Sequence, residues 1–361
     1  MKVLSPVNNV SEIEKVVSAG ADEVYCGVLT PAWQGRFAHT GTINGSPSRF
    51  HNLADLDELR HVVEVAHAHD AKVFATYNSY YYSRDQYPLL EKEVDGAVTA
   101  GVDGIIAADI GLMRTIVAMD TGVELHVSVV GGAFNSRTVA FYRELGASRV
   151  VLPKQLTLEE IGSIAADRGD MVLECFILTV GCNNAEALCR FQHGVIEARH
   201  PRLSRFVLNN PLQSSIIKAY QRKGAGRMRR FLQEHTFLAD RAACCLRYDL
   251  EPMEAMEENE LARVRSCLTP LLSNAFEHER MYGCGVCALP VLARMGISTV
   301  KTEDRAAPLG DRLNNIAFVK EMLKELERTT NDDAFCSRAR ERFGTLRGFA
   351  CDDDYCNHLV G

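Results

Sequence analysis

The sequence has no run of about 18 apolar residues, so no transmembrane helix and no membrane partner are expected. Its first residues, MKVLSPVNNV, lack the long apolar stretch of a signal peptide and read as a buried strand, which implies a cytoplasmic chain. No Gly-rich phosphate fingerprint follows that strand, where the sequence is SPVNNV, and this argues against a dinucleotide-binding sheet. A nucleophile elbow, a Ser-His-Asp order and a His-Glu-x-x-His zinc motif are all missing. Peptide hydrolysis would then depend on a cysteine nucleophile. Positive charge is not in excess either. Forty Lys and Arg against 47 Asp and Glu give a net charge of −7, which argues against a broad electrostatic grip on nucleic acid. One basic stretch, residues 222–230, stands apart, and its plain reading is a solvated helix start or loop.

Cysteine is nearly absent from the first half and abundant afterwards. Of 12 cysteines only Cys26 precedes residue 175. Cytosolic thiols stay reduced, so a disulfide framework is not expected, and clustered cysteines point to metal or redox chemistry. With 361 residues, 47% hydrophobic and 24% charged, the chain can bury a sizeable core without staples.

The first 175 residues repeat one rhythm. Short β-branched apolar runs at 2–5, 23–27, 72–77, 104–108, 124–130, 149–153 and 171–178 alternate with amphipathic stretches. The helices expected between them cover 10–19, 53–69, 87–100, 112–119, 136–145 and 156–167. Three end in SAGAD, TAGVD and ELGAS, where Gly takes a left-handed cap cheaply. Ser11 with Glu14, and Thr157 with Glu160, read as capping boxes. An eighth strand at 298–302 and a helix at 311–328 complete the set. Eight β–α units predict a (β/α)8 TIM-like barrel. The expected organisation is strands one to seven in 1–181, a Cys-rich insertion at the C-terminal face in 182–296, the last strand and helix in 297–330, and a Cys-containing tail in 331–361.

Several segments together resemble the peptidase U32 family: AGADEVYCGV, AKVFATYNS, AGVDGIIAADIGLM, ELHVSV, ELGASRVVLPKQLTLEEI and GISTVKTEDR. The family's Glu-x-Phe followed by Cys-x6-Cys falls on Glu174, Phe176, Cys182 and Cys189. Thr179-Val180-Gly181 replaces the usual Gly-Ala-Leu, and the Gly near the second Cys is replaced in ALCR, so the substrate does not carry over. Family members were first described as collagenase-like proteases. Others are associated with oxygen-independent hydroxylation of RNA bases or of the ubiquinone ring, and carry a four-iron cluster on cysteines. The resemblance implies a 4Fe-4S enzyme that hydroxylates or otherwise modifies a small or ring-bearing substrate, working with a paralogous partner or as a homo-oligomer. A U32-type peptidase, an RNA base hydroxylation factor and a non-catalytic cluster-binding subunit are the alternatives.

Five cysteines compete for the metal: the Cys182/Cys189 pair, Cys245, and the Cys-x2-Cys pair Cys284/Cys287. Soft thiolates suit an iron–sulfur cluster and a structural Zn alike. Both pairs flank the insertion, between strands that are neighbours in a closed barrel. Cys336, Cys351 and Cys356 either hold a second metal, reach the first site, or pack without a ligand. Cys26 reads as core. The catalytic candidates are His126, which the family's strand-five motif shares, Asn78 and Asp109 at strand ends, Glu174, and Lys301, Glu303 and Arg305, which period-two alternation puts on one face. Asp109 reads equally as a helix cap. Lys301 and Arg305 would suit an anionic small-molecule substrate. Arg49 matches a family arginine loosely and is carried as a cofactor-binding candidate. Tyr77, Tyr80, Tyr81 and Tyr82 offer stacking for a ring, or plain loop packing.

Overall fold

The structure, a computed structural model, describes residues 1–37, 43–45, 51–180, 187, 282–302, 305, 307–348 and 351. Eight parallel strands close a barrel: β1 (Lys2–Pro6), β2 (Glu23–Cys26), β3 (Lys72–Tyr77), β4 (Gly104–Ala107), β5 (Glu124–Val127), β6 (Arg149–Val151), β7 (Val172–Ile177) and β8 (Thr299–Thr302). Strand β8 pairs with both β1 and β7, which seals the cylinder. The expected TIM-like barrel is therefore present. The α-helices among the described residues are α1 (Ile13–Ser18), α2 (Pro31–Phe37), α3 (Leu56–Ala68), α4 (Tyr87–Thr99), α5 (Ile110–Ala118), α6 (Ser136–Glu144), α7 (Leu158–Ala166), α8 (Leu289–Arg294), α9 (Leu309–Arg328) and α10 (Asp332–Arg347), and the short strands Thr179–Val180 and Tyr282–Gly283 pair with each other outside the barrel. No helix among the described residues is long and apolar enough to cross a membrane.

Alternation along each strand sorts the side chains. At least one apolar residue per strand faces the helices and is buried, among them Val3, Val24, Val73, Ile105, Leu125, Val150, Leu173 and Val300. Each such side chain contributes about 1.5–3 kcal/mol on burial. The opposite face fills the cylinder, with Leu4, Tyr25, Phe74 and Ile106 as its own small apolar cluster. Gly104 makes room there. A Cβ on it would lie 2.7 Å from the Glu124 carbonyl oxygen and 3.1 Å from the Phe74 ring.

The helix stops behave as their chemistry dictates. Gly20, Gly101 and Gly146 take φ of +108°, +92° and +100°. The Thr157/Glu160 capping box forms. The Ser11/Glu14 box does not: Ser11 turns back onto Asn9, and α1 starts at Ile13 behind Glu12. Glu12 is instead drawn into an ion pair with Arg312 at 2.6 Å, both nearly buried. The barrel also resumes earlier than expected. Leu289, Pro290 and Leu292 of α8 are buried in the main core, so the wall is already rebuilt before residue 297. Residues 331–361, read from sequence as a tail, begin with the helix α10, anchored by buried Phe335, Ala339 and Phe343.

Candidate functional site

The inward faces of the strands carry charge as well as apolar groups. Arg149 on β6 reaches across the cylinder to Glu23 on β2 at 2.6 and 3.0 Å, and to Glu174 on β7 at 3.2 Å. Its guanidinium lies 5.0 Å from the Phe74 ring centroid. Lys2 closes on Glu23 at 3.1 Å from the N-terminal end, and Lys301 stands 3.5 Å from Glu174 toward the C-terminal end. These five groups form a continuous column of alternating charge along the barrel interior. Burial pushes the Glu23 carboxyl up, but the Arg149 guanidinium and Lys2 override it and hold it below the usual carboxylate range. Buried charges persist where each is paired, as here.

His126 belongs to the floor of this interior. It is fully buried, and its Nε2 meets the Glu124 carboxylate at 2.8 Å. Burial lowers its pKa, against the Glu124 hydrogen bond that raises it. That bond, assisted by Lys72, holds Glu124 at about 2. Glu124 precedes His126 on β5, so the contact points away from the C-terminal face.

The C-terminal ends of the strands gather a different set. Lys301 Nζ sits 4.2 Å from the Tyr25 ring centroid and 5.6 Å from that of Phe176. Arg305 lies 4.9 Å from the same Tyr25 ring and donates to Thr76 Oγ1 at 3.0 Å. Lys154, just past β6, is 4.8 Å from Phe176. Three cations thus surround two aromatic faces at the mouth. Asn78 adds a polar edge, donating to Ser128 Oγ at 3.0 Å. Burial, then the nearby Arg305 and Arg312, lowers the pKa of His51, in keeping with positive potential on this side. Tyr25 and Phe176 are buried beneath these cations, so the mouth offers positive charge to an anionic group, backed by the two rings.

Other candidates take different places. Asp109 caps α5 by accepting from Leu112 N at 2.7 Å, and its carboxylate also accepts from Tyr87 Oη at 2.5 Å. Tyr77 faces the helices and bonds the Glu93 carbonyl, and Tyr82 is buried against the Ile43 carbonyl. Tyr80 and Tyr81 are exposed. Lys301 and Arg305 both approach Tyr25, but only Lys301 does so from the strand: β8 ends at Thr302 and Arg305 reaches the ring from the following turn. Glu303 and Arg49 lie outside the described residues, as do Cys182, Cys189, Cys245, Cys356 and the basic stretch 222–230. Cys26 is core, and burial pushes its thiol up to about 12.

Of the candidate ligands, Cys284 and Cys287 are described. Gly285 between them has φ of +71°, the left-handed conformation a tight Cys-x2-Cys turn uses. Leu178 N donates to the Cys284 carbonyl at 2.8 Å, so the turn is tied to the end of β7. Cys182 is four peptide steps from Leu178, a reach of at most roughly 14 Å. Among the described residues no three His, Cys, Asp or Glu side chains converge as metal ligands.

Sequence reading missed Arg149, Glu23, Lys2, Lys72, Glu124, Tyr25 and Lys154. Charged residues at alternate positions of otherwise apolar strands, as in DEVYC and SRVVL, were the available signal.

The profile of Peptidase family U32 matches residues 8–202. A protein named as an uncharacterized protease of Methanocaldococcus jannaschii is 29% identical over 204 residues, 55% of this chain and 46% of that protein. The tRNA hydroxylation protein P of Escherichia coli is 26% identical over 200 residues, 55% of this chain and 41% of that protein. A 23S rRNA 5-hydroxycytidine synthase of the same organism is 27% identical over 193 residues, 54% of this chain and 26% of that protein. The matched stretch thus spans less than half the length of each of these relatives.

Proposed function

The chain belongs to peptidase family U32, and from that premise we propose that it is a modifying enzyme that hydroxylates a ring carried on an anionic scaffold. The observation that carries this reading is the mouth, where Lys154, Lys301 and Arg305 surround Tyr25 and Phe176. The names of two relatives, a tRNA hydroxylation protein and an rRNA hydroxycytidine synthase, favour a base in RNA as the ring, with a small ring compound as the other source of the same chemistry. In the reaction a ring C–H becomes C–OH, and a hydroxylated organic donor gives up its OH and takes the hydrogen.

The roles follow from position. Arg305 and Lys301 hold the anionic part, the buried rings of Tyr25 and Phe176 back these cations, and Glu174 fixes the Lys301 ammonium from below. Asn78 and Ser128 supply donors and acceptors to the ring edge. The cofactor of this reading is a 4Fe-4S cluster on Cys284, Cys287 and thiols beyond the described residues, drawn from Cys182, Cys189 and Cys245. The Cys284/Cys287 turn, tied to the end of β7, suits half of such a set. When bound, the cluster would supply one-electron transfer. Peptide hydrolysis is not favoured by the mouth's serine or the strand histidine: Ser128 pairs with Asn78, and His126 with Glu124.

The test compares cells with and without the chain. Digested RNA and small-molecule extracts are searched by mass spectrometry for a ring product heavier by one oxygen atom. Its loss on deletion and return on complementation is expected. Identical profiles in both strains would defeat the reading.

A further inference from the structure

Two thiols outside the barrel face each other across separate elements. Cys336, on α10, has its Sγ 3.6 Å from the Cys287 carbonyl oxygen, and Cys287 has its Sγ 4.0 Å from the Cys336 carbonyl oxygen. Each side chain rests on its partner's backbone, so the two residues are in direct contact, the proximity from which a disulfide can form. The approach is held from both sides. Buried Phe335, Ala339 and Phe343 seat α10, and the side chain of Asn331 caps its first turn. Arg294 at the end of α8 grips Asp332 with two bonds of 3.0 and 2.7 Å, so the segment that carries Cys287 is clamped to the helix that carries Cys336.

The pair shares with Cys351 an access to solvent that the core thiols lack. Cys26, Cys175 and Cys284 are buried, whereas Cys287 and Cys336 are half-buried. A small oxidant reaches a half-buried thiol far more readily than one sealed in a core. Burial pushes the thiols of Cys26 and Cys175 upward, which keeps them inert as nucleophiles.

We infer that Cys287 and Cys336 are a redox pair that closes to a disulfide when the chain meets a disulfide oxidant. One thiol loses its proton and the thiolate attacks glutathione disulfide, forming a mixed disulfide and expelling one glutathione thiolate. The second thiol deprotonates, attacks the protein sulfur of that mixed disulfide and expels the second glutathione. Two protein thiols are oxidised, one glutathione disulfide is reduced to two glutathiones, and the protons pass to the leaving thiolates. In a reducing compartment such a bond is transient and serves sensing. One consequence rests on the cluster reading: a Cys287 held in a disulfide is withdrawn from the metal ligands. The pairing itself does not depend on that reading.

The test uses the full chain, both as purified and after treatment with a chelator. Each sample is incubated with glutathione disulfide, alkylated, and digested with trypsin without reduction. Cys287 falls in the peptide 281–294 and Cys336 in the peptide 329–338. The expected product is a linked species of these two peptides that vanishes on reduction, in Cys287→Ser and in Cys336→Ser, and persists in Cys284→Ser and Cys351→Ser. Finding in both samples only Cys284 joined to Cys287, or only glutathione on Cys336, would overturn the inference. Iron and sulfide analysis of the untreated sample separates the two readings. A link in iron-free protein keeps the pair and removes the cluster, and iron with sulfide but no link does the reverse.

Discussion

Replacing Arg149 by Met tests the charged column most severely. The side chain makes three bonds to two buried carboxylates, Glu23 and Glu174, and the substitution keeps most of its volume against Phe74. Breaking a buried ion pair by removing one partner costs about 3–5 kcal/mol. A ceiling comes from protonation. A stranded carboxylate escapes by taking up a proton, at about 1.4 kcal/mol per pH unit above its ordinary value near 4.3, or about 3.7 kcal/mol at pH 7. At pH 5 the same escape costs only about 1 kcal/mol per group. Arg149→Met should therefore lose about 3–5 kcal/mol at pH 7 and markedly less at pH 5, measured by urea unfolding followed by far-UV circular dichroism. The sign agrees with the depressed Glu23: its stabilisation is present above the unfolded carboxylate value and is lost as pH falls through the lower folded value. The triple variant Glu23→Gln, Arg149→Met, Glu174→Gln removes the stranded carboxylates but leaves Lys301 without Glu174, so it should recover part of the loss and lose the pH dependence between pH 5 and pH 7. A loss under about 1 kcal/mol for the single variant, or an equal loss at both pH values, would refute the reasoning.

Two further predictions concern other groups. Glu93 is buried with one oxygen bonded by Thr30 at 2.6 Å and the other without a partner among the described residues, and burial raises its pKa. Its folded state holds the proton more tightly, so stability should decline as pH rises through the raised value. Glu93→Gln should remove that decline in thermal melts between pH 4 and pH 8, and parallel curves for the two proteins would argue against it. Anaerobically purified chain should carry iron and sulfide in equal amounts and absorb broadly near about 400 nm, as a cysteine-ligated cluster does. Stoichiometric zinc in colourless protein would replace the cluster with a structural metal.

The barrel was legible because its signals are local. Apolar runs of strand length, glycines after helices and the Thr157/Glu160 box each fix a short stretch, and eight such units leave few topologies. Helix α10 was not read, although Phe335, Ala339 and Phe343 recur at four-residue spacing, because the acidic start and the three late cysteines drew the segment toward a ligand role. The site was legible in part. Lys301 and Arg305 were placed on one face, and their pairing with Glu174 through Lys301 was within reach of strand alternation. Arg149 was not, since its partners lie 126 and 25 residues away and only barrel closure brings β2, β6 and β7 to a common axis. His126 illustrates the opposite error. A strand histidine in a barrel invites a catalytic role, yet its two-residue spacing from Glu124 gives it a partner on the same strand, below the mouth.

The most direct test of the mouth is complementation of the deletion strain with variants of it. Lys301→Met and Arg305→Ala should each lower the oxygen-bearing ring product at least about tenfold, the loss expected when a charge-assisted contact of about 1.4 kcal/mol or more is removed. Protein abundance should stay unchanged, and charge reversal within residues 222–230 should leave the product in place if the ring is small and diminish it if the ring is carried on RNA. Full product from both Lys301→Met and Arg305→Ala would contradict a substrate site at the C-terminal end of this barrel.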